Sequence, residues 1–166
     1  KYLKFRSNKL ETKMKIPDIK PGSILHRETN SYIYANSLEL PSTTHISIVD
    51  KYGNALSMTS TIESSFGSRL MTNGGFLLNN ELTDFSFQKE KKGKRVANNI
   101  EPNKRPRSSM APTIIFKNDK PLFIIGSPGG SNIIGYVVNS IIGLVDWKMN
   151  VQQAASIPHG INKFGT

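Results

Sequence analysis

"THISIVDKYGNALSMTSTI", residues 44–62, decides the fold class. Ile46 and Ile48 flank Ser47, and Leu56 and Met58 flank Ser57. Alternation with a period of two is the mark of a strand, and "KYGN" between the two runs supplies a turn, so the stretch predicts a β-hairpin. Just upstream, Ser42, Thr43 and Thr44 follow Pro41. Threonine is a good strand former, which is reason enough for one at a strand start. A threonine released as a new N-terminus would also bring its own base. A free α-amine titrates at roughly 7.7–8, near what a general base needs at neutral pH. Thr43 is therefore a candidate nucleophile that needs no histidine or aspartate partner.

Outward from the hairpin, "GGFLLNNELTDF" is a short apolar run ending in polar residues. The stretch "SFQKEKKGKRVANNIEPNKRPRSS" is charged and poor in apolar residues, and is expected to be a long loop. "APTIIFKNDKPLFIIGS" predicts a second hairpin with Asn118 and Asp119 at its turn. "PGGSNIIGYVVNSIIGLVDW" reads as a glycine turn, a Ser131 cap and an apolar helix, and "NVQQAAS" as a further short helix. Residues 1–42 lack sustained periodicity, and the prolines of "KIPDIKPGS" break both helix and strand, so this part is expected to be an extended leader. Strands joined by tight turns, then a strand, glycine turn and helix, give an α+β domain rather than a doubly wound parallel sheet.

The 166 residues carry 22 basic and 12 acidic side chains, a net charge of +10. The excess sits in residues 1–42 and 86–107, a tail and a loop, so a nucleic-acid-binding face is set aside. There is no cysteine, which excludes disulfides and thiol chemistry. The three histidines, His26, His45 and His159, are far apart in sequence, and neither metal nor cofactor is expected. No run of 18 apolar residues occurs, so no membrane span is expected.

Three further stretches carry candidate chemistry. "GSPGGSN" puts Gly129 and Gly130 before the helix, where backbone N–H groups suit an oxyanion; an ordinary strand-to-helix turn reads the same way. In "RSSMAPT", the hydroxyls of Ser108 and Ser109 suit a carboxylate, or simply a solvated loop. In "NNELTDF", Glu81 and Asp84 suit an ammonium, or form a surface acidic pair.

Taken in order, "TTHISIVDKYGNA", "TSTIESSFGS", "LLNNELTDFS", "PNKRPRSSMAPTI" and "GSPGGSNII" resemble successive motifs of the γ-glutamyltransferases, also called γ-glutamyltranspeptidases. The resemblance runs from about Pro41 to about residue 158 and implies an N-terminal-nucleophile hydrolase fold, an αββα sandwich that is incomplete in this chain. It implies a precursor cut between Ser42 and Thr43, with residues 1–42 as the tail of a large subunit and 43–166 as a truncated small subunit. By resemblance Thr43 is the nucleophile, Thr61 orients it, and Gly129 and Gly130 form the oxyanion hole. Ser108 and Ser109 would bind the glutamyl α-carboxylate, and Glu81 and Asp84 its α-ammonium. Glu63 stands where many members carry Asn, and joins the ammonium side.

The implied substrates are γ-glutamyl amides such as glutathione, with an amino acid, a peptide or water as acceptor and the rest of the large subunit as partner. The family's carboxylate-binding arginine belongs to that subunit, so the chain by itself is expected to be inactive. Periplasmic or extracellular location is implied. The alternatives are a related acylase, a poly-γ-glutamate hydrolase or transferase, and an inactive remnant of a degraded gene.

Overall fold

A computed structural model describes Lys4, Ser7, Tyr32, Ile33 and residues 42–161. Its residues divide into two units, Lys1–Asn36 with Ser86–Glu101, and Ser37–Phe85 with Pro102–Thr166. Within the described residues the chain is mixed α+β with small sheets.

The first unit holds a three-stranded sheet of β1 (Tyr32–Ile33), β4 (Glu90–Lys91) and β5 (Lys94–Val96), with β5 in the middle. β1 runs parallel to β5, and β4 antiparallel to it across a turn at Lys92 and Gly93, both at positive φ. This corrects the long-loop expectation for the basic stretch. Strands form there because Val96 is fully buried and Arg95 ion-pairs with Glu101, while Lys92 and Lys94 stay exposed. The partner strand lies some 60 residues upstream, beyond the reach of any local pattern. Lys4 and Ser7 are helical; the "KIPDIKPGS" segment lies outside the described residues.

The second unit contains both expected hairpins. β2 (Thr43–Val49) pairs with β3 (Ala55–Thr61) in the register Thr43↔Thr61, His45↔Thr59, Ser47↔Ser57. The turn is held by Asp50, whose carboxylate accepts from the Tyr52 and Asn54 backbone N–H groups at 2.8 and 2.9 Å. β6 (Thr113–Lys117) pairs with β7 (Lys120–Ile125), with a register shift between Ile115 and Phe116. Asn118 and Asp119 both take positive φ, as a two-residue hairpin turn that follows strand twist requires.

Directly opposed residues share a face of an antiparallel pair. Thr43, His45, Ser57, Thr59 and Thr61 therefore share one half-buried face, and Ile46, Ile48, Leu56 and Met58 the other, which is exposed. The polar face is the one turned inward. Ser47 and Ser57 donate from it to the β7 carbonyls of Ile124 and Ile125, at 3.3 and 3.1 Å.

After β7 the chain turns through Gly126 to Gly129, makes a single 3-10 turn at Gly130–Asn132, and enters α1 (Ile133–Val145). Ser131 does not cap α1. Helical backbone begins earlier than expected, Ser131 lies inside the 3-10 turn, and Asn132 takes the N-cap position without a side-chain bond. The short helix α2 (Val151–Ser156) is present. Asn150 and Gln153 close a reciprocal capping box at its start. Ile133, Val137 and Leu144 of α1, Ala154 of α2 and Phe85 form this unit's buried apolar set. Gly143 lets α1 approach Ala154, whose Cβ would stand 3.5 Å from a side chain there.

Candidate active site around Thr43

The site is built at one end of the β2–β3 hairpin. Thr43 opens β2 and Thr61 closes β3, and the register sets them opposite each other. The Thr61 hydroxyl accepts from the backbone N–H of Glu63 at 2.9 Å and donates to the Ser42 carbonyl at 2.7 Å. The first bond is a side-chain turn two residues long, and it folds Glu63 into positive φ (70°), a region an L-residue with a long side chain seldom adopts.

One cavity is lined by Thr43, Thr61, Glu63, Glu81, Asp84, Arg107, Ser108, Ser109, Met110, Gly130 and Ile133. Eight of the ten residues singled out from the sequence, all but Ser42 and Gly129, thus meet at one place. Gly129 lines an adjoining cavity with Ser42, Thr43, Thr44, Ser60, Thr61, Ile62, Ser65 and Pro128. Thr43 and Thr61 face both.

The acidic side is held by local turns. Glu81 and Asp84 bound a 3-10 turn, Glu81–Asp84, which puts both carboxylates on the cavity. Glu81 has its pKa raised, first by burial, then by the Asp84 charge and a hydrogen bond with Asp84, and last by the Glu63 charge. Its buried Oε1 has no hydrogen-bond partner among the described residues. A buried carboxylate oxygen left this way is costly unless it is protonated or meets a cation.

Asn80 is a residue the sequence reading did not single out. Its amide N–H donates to the Glu63 carboxylate and to Thr83 Oγ1, its Oδ1 accepts from the Ser64 N–H at 3.0 Å, and its own N–H reaches the Ile62 carbonyl at 3.2 Å. It ties the loop after β3 to the acidic turn. Its only sequence signal is its place just before Glu81; apart from Thr83, its partners Ile62, Glu63 and Ser64 lie far back in the chain. Arg107 was also missed, although it directly precedes Ser108. Arg107 lines the cavity beside the two serines, and its Nη2 is buried.

Gly130 of the glycine turn lines this cavity, and Gly129 the adjoining one. Gly129 has φ 137° and Gly130 φ 56°, both in the range that favours glycine. A Cβ on Gly129 would stand 2.7 Å from the Tyr136 ring on α1. Gly130 begins the helical run, where the first N–H groups lack intrahelical acceptors. Such donors suit a developing negative charge. The cavity therefore offers a hydroxyl, backbone donors, a cluster of carboxylates, and a guanidinium with two serine hydroxyls. Among the described residues no helix is long and apolar enough to cross a membrane.

The chain is 45% identical over 117 residues to the glutathione hydrolase proenzyme of Bacillus subtilis, covering 70% of this chain and 19% of that protein. The chain thus spans about a fifth of that relative's length. It is 37% identical over 123 residues to an Arabidopsis thaliana protein named as an inactive glutathione hydrolase, covering 70% and 64%. Its structure matches the γ-glutamyltranspeptidase of Helicobacter pylori, in a mutant form, with 46% identity and a TM-score of 0.65 over 73% of this chain and 68% of that one. The model of the γ-glutamyltranspeptidase family matches residues 1–165, and the chain belongs to that family.

Proposed function

We propose that this chain carries the self-cleavage site and the glutamyl-binding pocket of a γ-glutamyl-transferring hydrolase, built on an N-terminal-nucleophile αββα sandwich. The observation that supports this reading best is the convergence on one cavity of Thr43, Thr61, the acidic trio and the serine pair. Residues 1–42 are read as the tail of the large subunit and 43–166 as part of the small one.

In the first reaction Thr43 Oγ attacks the Ser42 carbonyl carbon. The Ser42–Thr43 C–N bond breaks, the hydroxyl proton passes to the departing Thr43 nitrogen, and an ester forms. Thr61 donates to that same carbonyl, which draws electron density away from the carbon under attack. Water then cleaves the ester and leaves Thr43 with a free α-amine.

In the second reaction that amine takes the proton from Thr43 Oγ as the oxygen attacks a γ-glutamyl amide. The amide nitrogen leaves with a proton as an amine. The acyl-enzyme passes its glutamyl group to water, an amino acid or a peptide. Glutathione is the substrate that the names of the curated relatives suggest. Glu63, Glu81 and Asp84 take the donor's α-ammonium, Ser108 and Ser109 its α-carboxylate, and the Gly129–Gly130 turn the oxyanion. The rest of the large subunit is the partner, and the family's exported location, periplasmic or extracellular, is carried over as part of the proposal.

Intact mass and N-terminal sequencing of the protein expressed in full test the reading. The expected product begins at Thr43; a mature chain beginning at Thr44 or elsewhere would overturn it. Thr43→Ala abolishes cleavage and γ-glutamyl anilide hydrolysis together, whereas Thr43→Ser keeps part of both.

A further inference from the structure

His45 lies two residues beyond Thr43, on the same inward face of β2. Its ring is held from three sides. Nδ1 lies 2.7 Å from Thr59 Oγ1, directly across the hairpin, and Nε2 lies 3.0 Å from Ser47 Oγ. Ser47 uses its own hydrogen toward the Ile124 carbonyl of β7. Its oxygen is then free to accept, so Nε2 carries the ring proton and Nδ1 accepts from Thr59. Burial lowers the His45 pKa, in keeping with this neutral form.

The third side is Gly126, the first residue after β7. A Cβ placed there would clash with the His45 imidazole, and its three nearest atoms would all belong to that ring. Gly126 opens the turn that ends at Gly129 and Gly130, three residues on. The ring is thus a direct contact between the strand that begins with Thr43 and the start of the glycine turn. Gly126 has no positive φ, so the need for glycine there comes from this ring and not from the backbone.

We infer that His45 is a positioning residue whose ring sets the spacing between Thr43 and the Gly129–Gly130 turn. The inference rests on the proposed roles of Thr43 and that turn. Three fixed contacts leave the ring little freedom, and close-packed groups transmit a shift to their neighbours. A misplacement of about 1 Å at a reacting centre costs on the order of a hundredfold in rate.

The test is a coupling cycle in the full protein between Gly126→Ala and His45→Ala. Gly126→Ala by itself should lower kcat on a γ-glutamyl anilide by about a hundredfold, with KM little changed, because donor binding is made elsewhere in the cavity. In the His45→Ala background, where the ring is gone, adding Gly126→Ala should cost much less. An equal cost in both backgrounds would overturn the inference. Should Gly126→Ala fail to fold, recovery of folding on adding His45→Ala supports the contact, and continued failure overturns it. A readout independent of turnover is the backbone amide shifts of Gly129 and Gly130 in uncleaved Thr43→Ala protein. His45→Ala should move both; unmoved signals would overturn the positioning role even if the wild type proved to have no γ-glutamyl activity. Absence of that activity with moved signals would remove the proposed reaction and leave the spacing role standing.

Discussion

The Thr61 hydroxyl donates across 2.7 Å to the carbonyl oxygen of Ser42, the residue just before the candidate nucleophile. Thr61 Oγ1 itself accepts from the Glu63 N–H, which fixes the direction in which the hydroxyl hydrogen points. Thr61→Val keeps the shape and removes the donor. Self-cleavage should slow by roughly a hundredfold, the usual scale for losing one donor to a developing oxyanion. Thr61→Ser should stay near the wild-type rate. The measurement is the time course of a chain beginning at Thr43.

Gly129→Ala should lower both turnover and stability, with turnover hit harder. The added Cβ meets Tyr136, and φ of 137° strains any L-residue by about 1–3 kcal/mol. Displacing an oxyanion donor costs about 2.7–4 kcal/mol in the transition state. Chemical denaturation and kcat on the same preparation separate the two. Equal losses would mean that the turn matters only to the fold.

Glu81 should make donor binding pH-dependent. Burial and the neighbouring Asp84 raise its pKa, so the folded protein holds that proton more tightly than the unfolded chain does. The linked stability is present in full below the ordinary glutamate value of about 4.3. It is lost as pH rises through the raised value. An ammonium entering the cluster favours the carboxylate, so binding expels the proton, and KM should rise as pH falls through that range. Glu81→Gln should flatten this limb of the KM profile and raise KM above it. A KM profile unchanged by Glu81→Gln would show that this carboxyl does not meet the ammonium.

Glu63 adds a third carboxylate to the pocket, held by the Asn80 amide. Three like charges repel unless a cation sits among them. The protein should prefer a γ-glutamyl anilide to the glutaryl analogue that lacks the α-amine, by kcat/KM, since pockets built for a polar group reject its absence strongly. Glu63→Asn should narrow that ratio. A wild-type preference for the glutaryl compound would favour the acylase reading.

Arg107 shares the cavity wall with Ser108 and Ser109. A guanidinium and two hydroxyls are all donors, suited to a carboxylate. Arg107→Ala should raise the KM of a γ-glutamyl donor by about tenfold or more, the scale of a hydrogen bond to a charged group. The kcat should change less. Steady-state kinetics with and without the donor's α-carboxylate would show whether the loss tracks that group.

The hairpins were legible in the sequence because their signals are local. Alternation in residues 44–49 and 55–61, the Asp50–Asn54 turn and the Asn118–Asp119 pair each act within a few positions. The sheet in the basic stretch was not legible, since β5 finds one partner in Tyr32–Ile33 and its only buried side chain is Val96. The Ser131 cap failed for a different reason: a 3-10 turn precedes α1, and side-chain rules for an abrupt helix start do not apply to a gradual one. In the site, chemical type marked Thr43, Glu81 and Ser108, but Asn80, Arg107 and His45 act through neighbours that only folding supplies.

The hairpin that carries Thr43 sets Thr43, His45, Ser57, Thr59 and Thr61 on one face and Ile46, Ile48, Leu56 and Met58 on the other. Because a strand alternates strictly, no single position belongs to both. A substitution at Ile46, Ile48, Leu56 or Met58 therefore alters the apolar row without replacing any side chain of the row that holds Thr43.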